Sequence, residues 1–220
     1  MSHTITLLDR VQLTHDTAHY VFDKPKGYDF APGQATDLAL DHDGWEDEWR
    51  PFTFTSLPGA DALAFTVKSY ADHDGMTYRM AALTPGDTVR IKDPWGAIED
   101  KGPGVFIAGG AGITPFLGIL NKRAAEGSLD GCTLIFANDA PRDIILRPLW
   151  DGLDALDTTY VLSEDARDAR KGHIDGALLD DLIDDFSQNF YLCGPPKMEE
   201  AVAELLTARG VTEDRLIRES

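Results

Sequence analysis

Over residues 4 to 93, apolar and polar positions alternate in short runs instead of recurring every third or fourth residue. Thr4 to Leu13, His19 to Asp23, Ala35 to Leu40, Pro51 to Thr55, Ala62 to Ser69 and Thr88 to Lys92 are rich in β-branched and aromatic side chains. Turn signals fall between them, at Pro25-Lys26-Gly27, Ala31-Pro32-Gly33, Leu57-Pro58-Gly59 and Pro85-Gly86-Asp87. Strands of this length and spacing predict an antiparallel β-barrel.

After Lys101-Gly102-Pro103-Gly104 the pattern changes. Apolar runs at Val105 to Ala108, Thr133 to Ala137, Thr159 to Leu162 and Phe190 to Leu192 alternate with helical stretches at Pro115 to Glu126, Arg147 to Leu153, Gly176 to Phe186 and Pro196 to Arg209. Strands that alternate with helices predict a parallel sheet in an α/β unit. The sequence therefore predicts two domains, 1–100 and 101–220, with the boundary in the Pro/Gly-rich link.

Composition narrows the chemistry. With 220 residues and 43% hydrophobic content, the chain is long enough to bury real cores. Residues Met1 to Arg10 show neither a basic patch nor an apolar h-region, and no stretch approaches a bilayer-spanning length, which predicts a cytoplasmic protein without membrane insertion. Only Cys132 and Cys193 are present, too few for a four-thiolate cluster, so any redox cofactor held by these residues is organic. A net charge of −18 excludes nucleic acid as the main partner, because phosphates repel carboxylates. His15 and His19 have helical metal-ligand spacing, but they flank a strand entrance that points them apart, so no metal site is expected.

Val105-Phe106-Ile107-Ala108-Gly109-Gly110-Ala111-Gly112-Ile113-Thr114-Pro115 reads as strand, glycine-rich turn and helix start. Such a turn lets backbone approach a pyrophosphate, and the helix N-terminus offers free N–H groups to the anion. In the first half, Arg50-Pro51-Phe52-Thr53 places a cation, an aromatic ring and a hydroxyl in sequence, with Arg50 and Phe52 on one strand face and Thr53 on the other. A flat heteroaromatic with a phosphate tail needs these groups. Asp74-Gly75-Met76-Thr77 precedes a short apolar stretch, which predicts Thr77 as a helix N-cap.

In order along the chain, Phe30-Ala31-Pro32-Gly33-Gln34, Arg50-Pro51-Phe52-Thr53, Val67-Lys68, Gly75-Met76-Thr77, Pro85-Gly86-Asp87, Gly109 to Pro115 and Cys193-Gly194-Pro195 resemble the ferredoxin–NADP reductase superfamily. The resemblance implies a flavin-binding barrel followed by a nucleotide-binding domain, with FAD between them and NADH or NADPH as hydride donor or acceptor. Arg50 would then pair with the FAD pyrophosphate, Pro51 and Phe52 would lie at the isoalloxazine, and Thr53 would face flavin N5. Val67, Lys68 and Ser69 would lend backbone to the ribityl region, while Gly75, Met76 and Thr77 would cradle the pyrophosphate. Gly110, Ala111, Gly112 and Thr114 would hold the nicotinamide dinucleotide, with Cys193, Gly194 and Pro195 at the transfer site. Thr53 and Cys193 are the candidate catalytic residues. The chain departs from the family at Phe52, commonly tyrosine, at Asp74, commonly glycine, and at its last residues, where several members carry an aromatic that covers the flavin.

At the end of the third strand of the second half, NADPH-selecting members place Ser-Arg; here Ser163 is followed by Glu164, which leans the expectation towards NADH, with Arg167, Arg170 and Lys171 as opposing cations. The expected activity is electron transfer from reduced flavin to a protein carrier such as ferredoxin or flavodoxin, with docking on a local patch of Lys68, Arg79 and Arg90. Two alternatives are reduction of a small acceptor, such as a quinone, free flavin or metal chelate, and a non-catalytic redox-sensing module.

Overall fold

The computed structural model describes residues 2–42, 44–70, 74–96, 98–164 and 169–219. Strands β1 (Ser2–Gln12), β2 (Thr17–Asp23), β3 (Ala35–Leu40), β4 (Arg50–Thr53), β5 (Ala62–Lys68) and β6 (Thr88–Lys92) form one antiparallel sheet in the order β4-β3-β6-β1-β2-β5. Its two edges meet through the Phe54–Phe65 bridge, and Thr55 N–H donates to the Ala64 carbonyl at 2.8 Å. Curling to closure removes the exposed edges that an open sheet would present. Alternation along the strands turns Ile5, Leu7, Tyr20, Phe22, Leu38, Phe65, Val89 and Ile91 inward, and Phe30 stacks on Phe54 with ring centroids 4.3 Å apart.

The second sheet is parallel throughout. It contains β7 (Gly104–Gly109), β8 (Thr133–Asn138), β9 (Asp157–Leu162), β10 (Arg170–Lys171), β11 (Asn189–Cys193) and β12 (Leu216–Arg218), in the order β10-β9-β8-β7-β11-β12. Helices α2 (Thr114–Ala125) and α3 (Arg147–Asp151) bury Phe116, Ile119, Leu120 and Trp150 in one core with Phe106, Phe136 and Tyr191. Helices α4 (Gly176–Leu182) and α5 (Pro196–Thr207) contribute Leu179, Val202 and Leu206 to a second core with Val105, Ile107, Ile135 and Phe190. With helices on both faces, every residue of β7 is buried. The chain leaves β7 towards β8 on one side and later places β11 on the other, so a crevice opens at the carboxyl ends of these two strands.

The predicted runs match the observed strands closely, and the differences have local causes. β10 and β12, two and three residues long, carry too few apolar positions to show a period. The helix predicted for Gly176 to Phe186 stops at Leu182, because Ile183 adopts extended backbone. The short helix α1 (Met76–Met80) starts two residues earlier than expected. Gly75 occupies the N-cap with no side-chain hydrogen bond, and burial of Met76 in the barrel core draws Thr77 into the first turn, which corrects its assignment as the cap.

Where the two halves meet, α2 lies directly on the barrel. A Cβ at Gly118 would sit 3.5 Å from the Phe54 carbonyl and 3.6 Å from the Gly33 nitrogen, and one at Gly33 would sit 2.2 Å from the Ile98 carbonyl. The link is pinned as well. Arg123 of α2, almost fully buried, bonds Asp100, while the Tyr191 hydroxyl accepts from Lys101 N–H at 2.8 Å and donates to the Gly102 carbonyl at 2.7 Å. Among the described residues, no helix is long and apolar enough to cross a membrane.

Candidate active site between the two sheets

A cleft of about 930 Å³ runs between the halves. From the barrel it is lined by Ala35, Pro51, Phe52, Thr53, Thr66, Val67, Lys68, Tyr70 and Thr77; from the second sheet it is lined by the Gly109–Gly112 turn, Thr114, Asn138, Asp139, Ser163, Cys193, Gly194, Pro195, Met198 and Glu219. Most of the residues expected at the cofactors therefore share one cavity, although the two groups lie far apart in sequence.

On the barrel side, Phe52 is half-buried against the barrel core, and among the described residues nothing in the protein bonds the Thr53 hydroxyl. Five expected residues lie outside the lining: Arg50, Ser69, Gly75, Met76 and Glu164. Arg50 is held by Glu48 at 2.8 Å and by the Trp49 carbonyl at 2.8 Å. Ser69 N–H is taken by the Asp16 carbonyl at 2.7 Å, so it is not free for a ligand in this arrangement. The carboxylate of Asp74, an unfavourable neighbour for a pyrophosphate, is drawn by both oxygens to Arg79 at 2.8 Å.

On the other side, the glycine-rich turn forms a single 3₁₀ turn, Gly110–Ile113, and continues into α2, whose N-cap Ile113 supplies no side-chain bond. Thr114 N–H is taken by the Ala111 carbonyl and Pro115 has no N–H, so the backbone offered to a ligand here is that of the glycine turn itself. Thr114 donates its hydroxyl to the Ala111 carbonyl at 3.0 Å. A Cβ at Gly112 would lie 2.2 Å from the Cys193 carbonyl, so the turns after β7 and β11 abut and only glycine permits it. Burial pushes the Cys193 thiol well above its ordinary pKa, and the Glu219 and Glu199 carboxylates push it further. Among the described residues no base is bonded to it, so it is a neutral thiol, which suits packing and not nucleophilic attack.

Glu219, Asp139, Asn138 and Tyr70 were not singled out from the sequence. Glu219 enters the cleft because β12 runs beside β11, with Leu192 opposite Arg218, and desolvation together with Glu199 raises its pKa. No short motif marks this position. Asn138 has its Nδ2 buried without a protein acceptor among the described residues. His15 and His19 do diverge: His15 lies 3.5 Å from both Asp16 and Asp143, whereas His19 bonds Thr66 at 3.0 Å. The three cations expected to form a docking patch are already engaged, Lys68 with Asp16 at 3.0 Å, Arg79 with Asp74, and Arg90 with the Glu46 carbonyl. Arg167 lies outside the described residues.

The cleft fits a pair of dinucleotides. It offers the backbone of a glycine-rich turn for diphosphate, the Phe52 ring and Pro51 for a planar heterocycle, and, among the described residues, an unbonded hydroxyl at Thr53. A barrel and a doubly wound sheet that share such a cleft define a class of two-unit proteins built to hold a flavin beside a nicotinamide dinucleotide. Comparisons with known proteins agree. Residues 4–99 match the oxidoreductase FAD-binding domain family and residues 106–204 the oxidoreductase NAD-binding domain family. The chain is 27% identical to the 2-halobenzoate 1,2-dioxygenase electron transfer component of Burkholderia cepacia, over 94% of this chain and 63% of the relative. It is 30% identical to NADH-cytochrome b5 reductase 2 of Mycosarcoma maydis, over 90% of this chain and 63% of the relative. It thus spans about three-fifths of these curated relatives. Among solved structures, the CS-b5R domains of human Ncb5or in the NAD+ form superpose with a TM-score of 0.87 at 25% identity, covering 100% of this chain and 70% of that one. A ferredoxin NADP+ reductase from Neisseria gonorrhoeae with bound FAD and NADP gives 0.87 at 21% identity, covering 99% and 98%. The chain belongs to the ferredoxin–NADP reductase superfamily of FAD- and NAD(P)-dependent oxidoreductases, and it carries the FAD-binding unit before the NAD-binding unit.

Proposed function

We propose that the chain is a cytoplasmic NAD(P)H-dependent reductase that takes hydride from a reduced nicotinamide onto FAD and passes electrons to a separately folded carrier such as ferredoxin or flavodoxin. The observation that carries this reading is the single cleft in which Phe52 and Thr53 of the barrel share a cavity with Cys193 and the Gly110–Gly112 turn. Electron-transfer and reductase components among the relatives support the carrier. In this reading residues 1–100 bind the flavin and 101–220 bind the nicotinamide.

When bound, the two cofactors supply the redox chemistry, with hydride leaving nicotinamide C4 for flavin N5. The protein supplies placement. Thr53 would offer its hydroxyl to the flavin ring, Pro51 and Phe52 would shield the ring from water, and Val67 and Lys68 would hold the ribityl chain. Thr77 in the first turn of α1 and the glycine turn before α2 would meet diphosphate. Cys193 fills the transfer site as a neutral thiol, and Gly194 and Pro195 close its edge. Gly194 N–H donates to the Glu199 carboxylate at 2.7 Å, which fixes that edge. Arg50 reaches the flavin diphosphate only after exchanging Glu48 for it.

The pairing of Lys68, Arg79 and Arg90 supports a second reading, in which the reduced flavin meets a small acceptor directly, because these cations offer little attraction to an acidic carrier. An anaerobic spectrum tests both readings. A yellow holoprotein bleached within seconds by NADH or NADPH is a reductase, and reoxidation by ferredoxin or flavodoxin faster than by quinone, free flavin or ferric chelate identifies the carrier reading. A spectrum unchanged by either nucleotide refutes the enzyme and leaves a redox-sensing module.

A further inference from the structure

The far end of the cleft holds a side-chain pair that electron transfer leaves unused. β8 and β9 finish side by side there, with Asn138 opposite Leu162. Beyond the strands the chains stay locked, through Ser163 N–H to the Asn138 carbonyl at 3.1 Å and Glu164 N–H to the Asp139 carbonyl at 2.8 Å. This frame brings Asp139 and Ser163 to the cleft lining, and the Ser163 hydroxyl donates to Asp139 Oδ1 at 2.8 Å. Among the described residues, Oδ2 of Asp139 has no partner.

The neighbouring charges are turned elsewhere. Glu164 lies outside the lining, 4.0 Å from Arg142, which also approaches Asp143 at 3.8 Å. Arg170 is bound to Asp181 at 2.6 Å, so it does not fold back over the site. Lys171 is exposed on β10, beside His173 of the lining. Among the described residues, one arginine between two carboxylates, with a third carboxylate unopposed in the cleft, leaves this corner anionic.

We propose that Asp139, fixed by Ser163, selects the nicotinamide cofactor by accepting a hydrogen bond from the adenosine ribose diol and repelling a 2′-phosphate, so that NADH is the hydride donor. The inference rests on the electron-transfer reading above. A diol donates to a carboxylate, whereas a phosphate monoester brings negative charge and acceptor oxygens. Ser163 cannot offset that repulsion, because its proton is committed to Asp139. Selectivity thus comes from the neighbouring strand end and not from Glu164, the residue that the sequence pattern favours.

The test compares kcat/KM for NADH and NADPH in the holoprotein, and, independently of electron transfer, calorimetric binding of adenosine 5′-monophosphate and adenosine 2′,5′-bisphosphate. The proteins are wild type, Asp139→Asn and Glu164→Gln. Asparagine keeps the Ser163 bond and removes the charge. The wild type is expected to prefer NADH and the monophosphate by at least about tenfold, roughly 1.4 kcal/mol, and Asp139→Asn to abolish most of that preference by improving the phosphorylated ligand. A wild-type preference for the 2′-phosphorylated ligands overturns the proposal, as does a ratio moved by Glu164→Gln and not by Asp139→Asn. If neither nucleotide reduces the flavin, the reductase reading fails on its own, and the binding ratio still decides the role of Asp139.

Discussion

The guanidinium of Arg50 sits 2.8 Å from the carboxylate of Glu48, two residues earlier at the entrance to β4. Both side chains are half-exposed, and an ion pair in that setting contributes little and is readily exchanged. Glu48 therefore competes with any phosphate for Arg50. Arg50→Ala is expected to weaken FAD binding by about 1.5–3 kcal/mol, the usual worth of a charge-assisted bond, and Glu48→Gln to tighten it slightly. Titration of the apoproteins with FAD measures both; an unchanged affinity in Arg50→Ala would reduce Arg50 to a surface ion pair.

Cys193→Ala is expected to slow flavin reduction by NADH while FAD stays bound, because Cys193 lies beside the Gly110–Gly112 turn and not in the barrel. Burial, Glu219 and Glu199 hold its thiol neutral, so alkylation by iodoacetamide should remain slow up to pH 9. Stopped-flow rates and mass spectrometry of the alkylated protein read the two effects. Equal reduction rates in mutant and wild type would remove Cys193 from the transfer site.

For Glu219 the sign of the pH effect is fixed by the direction of its shift. Desolvation in the cleft and the Glu199 carboxylate raise its folded pKa, so its proton is bound more tightly folded than unfolded. Its contribution to stability is present below the unfolded pKa and is lost as pH rises through the folded one. Glu219→Gln should melt higher than wild type at pH 8, and the difference should vanish near pH 4. A constant difference in Tm across that range would show that the charge of Glu219 is not what matters.

Two glycines of the same turn should respond differently to alanine. At Gly112 a Cβ meets the Cys193 carbonyl at 2.2 Å, and backbone must move, so Gly112→Ala should cost at least the about 1–3 kcal/mol typical of overpacking and impair nucleotide binding. At Gly110, where φ is +50 and nothing lies within 4 Å, Gly110→Ala should cost only the about 1–2 kcal/mol of the left-handed conformation. Thermal melts with and without NADH separate the two; similar losses would place the constraint elsewhere.

The sequence resolved the fold well because each half is built on one period. The two-residue alternation of Thr88–Lys92 and the buried run Gly104–Gly109 are visible without tertiary information. β12 was not legible, since Leu216 and Ile217 stand among charged residues, and without β12 nothing places Glu219 beside Cys193. Asp139 was hidden for a related reason: its role depends on the register between β8 and β9, which brings it to Ser163 across 24 residues. The Arg50–Glu48 pair shows the opposite limit, because a motif names the cation but not the partner that occupies it.

At the seam, Gly118 of α2 rests on the backbone of Phe54, Gly33 and Pro32, while Gly33 packs against the Ile98 carbonyl and the Ile119 side chain of α2. Contact of backbone with backbone keys the two units like lock parts cut for one another. A chimera that joins this barrel to the nucleotide-binding unit of a relative will keep a working cleft only if the incoming helix also presents glycine at the place of Gly118. Grafts made at the link near residue 100 alone should fold as two units that fail to close on their cofactors, whereas grafts that carry α2 with the barrel preserve the mating surface.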